Sequence, residues 1–367
     1  MGALFETIQQ PVTAAWASAT TVPLKLEEVG NVTRYELVHE LTPSATFLGA
    51  NQPDGLYRPF ENITIQLGSS VIFALPDDAG GEGGVMQHML NQIDGLGIGY
   101  PSGAITAPDL TFVPVMIVFH AGVRPKKPGG VDNPYDLSAF VPVKAKGGAN
   151  LLWRTNTNAV VDDTVTLSSG TLRATAHRVL GSESEIIDAM RGQGVDEILA
   201  MAGCRALTPA WETDVQILTA ASANLSLRLN AKNQGFLRRT TFLAQDATGT
   251  RPLRAQDELT NLTLKVPGRQ KVYFEHSVNN ITGRLPIMGQ LGVDDVVAYG
   301  GAAAKGFFPV DLRIMGETPL ERILGLDLRN ASPDAVQWGQ TVTEYASGDD
   351  ILVLSEKTVP YSGPFAS

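Results

Sequence analysis

Asn62-Ile63-Thr64-Ile65-Gln66-Leu67 returns, 199 residues later, as Asn261-Leu262-Thr263-Leu264-Lys265-Val266. Both stretches alternate apolar and polar residues and are rich in β-branched side chains, the pattern of a strand with one buried face. A second word follows each of them in the same order. Phe112-Val113-Pro114-Val115-Met116-Ile117 is echoed by Phe307-Phe308-Pro309-Val310-Asp311-Leu312, at a displacement of 195 residues. Upstream, Leu24 to Leu41 reads as strand, Gly-Asn turn, strand, and Leu225 to Leu243 reads likewise, with Asn233-Gln234-Gly235 at its turn. Three landmarks in one order, repeated at nearly one spacing, predict two copies of a β-rich unit. A period near 200 residues is far beyond that of a solenoid or propeller blade and means duplicated domains.

Length and composition agree. A chain of 367 residues exceeds what one core usually serves, so two domains are expected. With 37 Gly and 22 Pro and few helical patterns, the chain reads as all-β, two tandem sandwich modules built from short strands and turns. The expected division is an N-terminal arm over 1–20, a first module over 21–181, a helical connector over 182–204 and a second module over 205–367. Within the arm Leu4, Ile8, Val12 and Trp16 stand four apart and would form one apolar stripe on a helix, with Pro11 interrupting it. In the connector Ser182 and Glu185 make a capping box, Ile186, Ile187 and Met190 follow at helical spacing, and Gly192 reads as a stop. Strands are read near 33–41, 62–75, 110–119, 138–143, 150–161 and 164–179 in the first module, and near 214–219, 224–230, 235–244, 259–276, 306–314, 323–330, 336–345 and 351–359 in the second. Helical patches fall between the second and third landmarks of each copy, at Val85–Ile93 and Val293–Tyr299.

The search for chemistry finds no site. His39, His88, His120, His177 and His276 stand far apart, and none belongs to a His-x-His or His-Glu-x-x-His ligand set. No Gly-x-Ser-x-Gly elbow occurs, and the single cysteine, Cys204, reads as a small core residue. Gly80-Gly81-Glu82-Gly83-Gly84 lacks the Gly-Lys-[Ser/Thr] ending of a phosphate loop and reads as a flexible loop. The doublets Asp77-Asp78, Asp162-Asp163, Asp294-Asp295 and Asp349-Asp350 lack the spacing of a calcium loop and read as turn residues. The net charge of −10 and the scarcity of clustered Lys and Arg argue against direct nucleic-acid binding. No catalytic, cofactor-binding or metal-binding residue is assigned, no cofactor is expected, and the chain is read as a non-enzyme built for contact.

Tandem sandwich modules joined by a short helical segment and preceded by an apolar arm resemble the double jelly-roll major capsid proteins of tailless icosahedral viruses, including membrane-containing bacteriophages. The resemblance spans nearly the whole chain and rests on the repeated Asn-[Ile/Leu]-Thr-[Ile/Leu] and Phe-x-Pro-Val segments and the Arg238-Arg239 strand. It implies a structural protein of the virion shell, made in the host cytoplasm, whose homotrimers present six sandwiches as a pseudo-hexameric block. Its implied partners are further copies of itself, minor capsid or vertex proteins, and an internal membrane touched by the N-terminal arm. Insertions such as 77–84 and 124–134 would decorate the outer surface or the trimer seams. A carbohydrate-binding or adhesin sandwich is the alternative reading, with Trp16, Trp153, Trp211 and Trp338 as its dispersed aromatic candidates.

Overall fold

The computed structural model describes residues 2–14, 17, 19–26, 29–43, 57–58, 60–76, 82–94, 96, 113–124, 133–143, 149–156, 167–217, 225–228, 235–245, 259–265, 272–277, 307–331, 337–342 and 348–365. They form two compact units, Met1–Trp211 with Pro360–Ser367, and Glu212–Val359. The first unit holds nine described strands: β1 (Leu4–Ala14), β2 (Thr21–Leu26), β3 (Asn31–Pro43), β4 (Asn62–Leu67), β5 (Ser70–Ala74), β6 (Val113–His120), β7 (Val141–Pro142), β8 (Ala149–Arg154) and β9 (Leu167–Leu180). One sheet runs β1-β9-β3-β6, with β7 also on β3, and the other runs β2-β8-β4-β5. Alternation places the side chains: Ile63, Ile65 and Leu67 of β4 are buried, while Asn62, Thr64 and Gln66 between them are half-exposed. The core is closed by Tyr35, Leu37, Ile117 and Phe119 from the first sheet and by Ile63, Ile65, Leu151 and Trp153 from the second. Each such side chain, fully buried, contributes roughly 1.5–3 kcal/mol.

The second sandwich repeats this plan strand for strand. Its described strands are β10 (Ala206–Ile217), β11 (Leu225–Arg228), β12 (Phe236–Gln245), β13 (Leu259–Lys265), β14 (Val272–Ser277), β15 (Phe307–Asp311), β16 (Leu326–Asp327), β17 (Gln337–Val342) and β18 (Asp350–Tyr361). They order as β10-β18-β12-β15, with β16 also on β12, and as β11-β17-β13-β14. Adding nine to every strand number of the first pair of sheets reproduces the second pair. The three sequence landmarks fall on matching strands: β4 with β13, β6 with β15, and β2 and β3 with β11 and β12. Phe242 meets Trp338 edge-on across this core, with ring centroids 5.3 Å apart.

The match extends to single residues. Asn31 and Val32 pair with Pro142 and Val141, as Phe236 and Leu237 pair with Asp327 and Leu326. The Val143 amide donates to the Gly30 carbonyl at 3.2 Å, and the Leu328 amide to the Gly235 carbonyl at 2.8 Å. In each long strand pair a bulge follows: the register with β9 shifts between Val32 and Arg34, and that with β18 between Leu237 and Arg239. Arg34 and Arg239 therefore hold the same place in the two sandwiches.

Two connector helices follow the sequence reading, α2 (Glu183–Gly192) with its complete Ser182–Glu185 capping box and α3 (Asp196–Ala202), ended by Gly203 in the left-handed region at φ 64°. Elsewhere the structure corrects it. The stripe that begins at Leu4 is not helical over its described part: Leu4–Ala14 is strand β1, paired with β9 from Leu4↔Leu180 to Ala14↔Gly170. A spacing of four also satisfies a strand, whose every second residue shares a face, and Pro11 is tolerated because β1 is an edge. The stretch 323–330 is not one strand but the end of a short helix, α4 (Glu321–Leu324), and the two residues of β16. The glycine run is not all loop either, because Glu82, Gly83 and Gly84 open helix α1 (Glu82–Ile93). The helical patch at Val293–Tyr299 lies outside the described residues.

Close approach explains the glycines at the start of α1. A Cβ on Gly84 would stand 2.2 Å from the Tyr57 carbonyl oxygen and 2.8 Å from that of Phe60. Gly84→Ala is expected to destabilise the first unit by about 3 kcal/mol in denaturant unfolding, since backbone must move. Gly192→Ala, where a Cβ meets nothing within 4 Å, is expected to be neutral or to stabilise by up to about 1 kcal/mol. Equal effects at both sites would contradict this account of α1 docking.

Candidate functional site

His39, His88, His276 and Cys204 lie on separate elements of the chain. His39 is fully buried on β3, edge-on to Trp153 at 4.5 Å and to Phe60 at 5.6 Å, and burial pushes its imidazole down to about 3. His88, on α1, stacks on Tyr57 at 3.7 Å beside the buried ion pair of Arg58 and Glu82. His276 lies on β14, and nothing of its side chain is described. Cys204 carries a half-buried thiol. Of the acidic doublets only Asp349-Asp350 falls among the described residues. Among those residues no group of three or more His, Cys, Asp or Glu side chains could hold a metal. Trp153, Trp211 and Trp338 are buried in cores, so none of the three offers a sugar platform; Trp16 lies outside the described residues.

What the fold does bring together is a charged rung across three strands, present in both sandwiches and invisible to sequence spacing. In the second, Arg239 on β12 stands opposite Glu356 on β18 and Asp311 on β15. Its guanidinium, 1% exposed, makes a bidentate pair with Glu356, with Nη2 donating to Oε1 at 3.0 Å. Arg313 grips Asp311 through Nε at 2.9 Å. Burial pushes the Asp311 carboxyl upward, but the Arg313 guanidinium, with Arg238 and Arg239 nearby, holds it below the usual carboxylate range.

In the first sandwich the equivalent rung reads His177, Arg34, His120, with imidazoles where the second has carboxylates. The compensating acid comes from β3 itself. Glu36 Oε1 lies 3.0 Å from His177 Nε2 and 3.3 Å from Arg34 Nη1. Burial raises the Glu36 carboxyl; the hydrogen bond and charge of His177, with Arg34, outweigh it and lower it overall. His177 Nδ1 sits 3.0 Å from the Thr7 hydroxyl, itself 2.6 Å from the Tyr135 hydroxyl, so this rung also ties down strand β1. One residue along, a second cation clamps each outer strand: Arg178 to Glu6 at 2.8 Å, and Lys357 to Glu212 at 2.7 Å.

Sheet edges are managed as well. On edge strand β6 the Val118 carbonyl accepts from Gln87 at 2.8 Å and from Asn91 at 2.9 Å, while its amide donates to Asn91 Oδ1 at 2.9 Å. The Asn91 amide thus stands in for a further strand and seals a point where another chain could pair. The Arg124–Pro134 insertion is anchored at its ends. Arg124 donates to the Gln193 carbonyl at 2.6 Å at the end of α2, and Gln193 Nε2 donates to the Tyr135 carbonyl at 2.9 Å.

Comparison with solved proteins identifies the fold of this two-sandwich chain. The chain superposes on the STIV MCP with a TM-score of 0.63 at 15% identity, covering 97% of each chain. In the atomic structure of Sulfolobus Turreted Icosahedral Virus the matched chain gives a TM-score of 0.66 at 16% identity, over 98% of this chain and 91% of that one. The major capsid protein P2 from bacteriophage PM2 gives 0.54 at 9% identity, over 99% and 100%. No family model and no curated protein matches the sequence. The fold is the double jelly roll.

The rungs differ in how much they hold. Glu356→Gln strands the buried Arg239 charge and is expected to cost about 3 kcal/mol in denaturant unfolding. Glu6→Gln removes a partner whose side chain is 38% exposed and is expected to cost under about 1 kcal/mol. A loss at Glu6 as large as that at Glu356 would contradict this ranking.

Proposed function

We propose that this chain is the major capsid protein of an icosahedral virus, assembling as homotrimers whose six sandwiches form a pseudo-hexameric capsomer. The observation that carries the proposal is the strand-for-strand repetition of one sandwich in a fold that superposes on capsid proteins over nearly their full length. Duplication has a direct geometric use: three copies of a chain with two like modules present six like modules around one threefold axis. Closed symmetry of that kind favours a self-complementary block. The cores are filled by apolar and aromatic side chains, and the carboxylates of Glu36 and Glu356 are engaged in tying neighbouring strands together, which supports a structural role over an enzymatic one.

Contacts with neighbouring capsomers and with minor shell proteins belong to this proposal. The membrane-reaching N-terminal arm does not, because Leu4–Ala14 pair with β9 along their length. The bacteriophage host implied by the resemblance is likewise left out, since similar folds come from viruses of different hosts. Light scattering on the purified protein is expected to return three times the chain mass, stable to dilution. A monomer under native conditions would contradict the proposal.

A further inference from the structure

Of the five histidines, His39, His88, His120 and His177 lie in the first unit, and the positions of the second that match His39, His120 and His177 carry other chemistry. Counting from the shared arginines, His177 corresponds to Glu356 and His120 to Asp311. Five residues beyond Arg34, His39 corresponds to Ala244, five beyond Arg239, which is buried and paired with Ile351. His39 is the one of these placed to join the two sheets of its sandwich. It leaves β3 facing inward, pairs in register with Val115 and Leu172, and meets the rings of Trp153 on β8 and Phe60.

We propose that the first unit is the acid-labile half of the chain, loosened when His39 takes up a proton, while the second unit, with Ala244 in the equivalent place, stays closed. A proton on His39 would set a charge against the rings of Trp153 and Phe60, where neutral imidazole packs well. Among the described residues, the ionisable groups on the elements packed around it are themselves held. Tyr35, on the same face of β3, is kept protonated by burial. Glu61 and Arg154, adjacent in sequence to Phe60 and Trp153, pair with each other at 3.6 Å. On α1, Glu82 is paired with Arg58, and His88 is stacked on Tyr57.

The sign follows from linkage. The folded-state value of His39, about 3, is depressed below the unfolded one, so its contribution is fully present above about pH 6.5 and is lost as the pH falls toward 3. Over that window the unfolded state binds one proton more, and the opening constant of the first unit rises up to about tenfold per pH unit. The second unit answers to a different group. Asp311 is also depressed, but from an unfolded value near 4, so its contribution begins to fade only below about pH 4. Between about pH 6.5 and 4 the two halves of one chain should therefore part company.

Hydrogen exchange on the intact protein, read by mass spectrometry from about pH 7 to about 4.5 and corrected for intrinsic rates, tests this. Peptides from β3, β6 and β9 are expected to show opening constants rising several-fold to tenfold per pH unit, and peptides from β12, β15 and β18 a flat response. His39→Phe is expected to flatten the rise in the first unit; should that ring not fit, His39→Gln removes the same titration with less bulk. Parallel rises in both units, a flat first unit, or a slope that survives in the variant would each overturn the proposal.

Discussion

One rung of the sheet, the first after a bulge in the second long strand of each sandwich, organises the rest. The bulge puts an extra residue, Thr33 or Arg238, into the strand and sharpens its local twist. The next residue is an arginine with its side chain almost wholly buried, and a buried guanidinium has to be answered by fixed partners. Register is the result. A slip of one residue would carry Arg34 or Arg239 to the opposite face and strand its charge in an apolar core. In the first sandwich the bulged residue is pinned too: the Thr33 hydroxyl lies 2.6 Å from the Pro134 carbonyl oxygen, to which it donates, and 3.1 Å from that of His177.

Much of this was legible in the sequence. Asn62–Leu67 and the second Phe-x-Pro-Val word announced strands because β-branched residues alternate there with polar ones, and their repetition announced the duplication. The Ser182–Glu185 cap and the apolar spacing behind it announced α2 for equally local reasons. Strand β1 was hidden by a spacing of four that a helix and a strand share. The first half of β10 was hidden by Pro209, which an edge strand accepts and a central one would not. The glycines that open α1 signalled flexibility in one dimension and close approach to Tyr57 and Phe60 in three. The rungs could not be read at all, because His120, His177 and Arg34 meet only through strand pairing and obey no spacing rule.

The two sandwiches share a topology and differ in chemistry. Nine of the ten excess negative charges lie in residues 1–204, yet the buried rung there is the histidine-rich one, and the carboxylate-rich rung belongs to the other half. Such divergence is what a duplicated module permits once each copy has its own neighbours. Fold is held by apolar alternation and the arginine that follows the bulge, and the groups facing that arginine differ between the two copies. Around a threefold axis, six positions would then be alike in shape and alternate in chemistry.

Electron microscopy of the purified protein tests the central claim, that one sandwich occurs twice and is used six times. Class averages down the symmetry axis are predicted to show a compact block with six lobes and threefold symmetry, neighbouring lobes being similar but not identical. Isolated two-lobed particles, or a ring of any other symmetry, would contradict it.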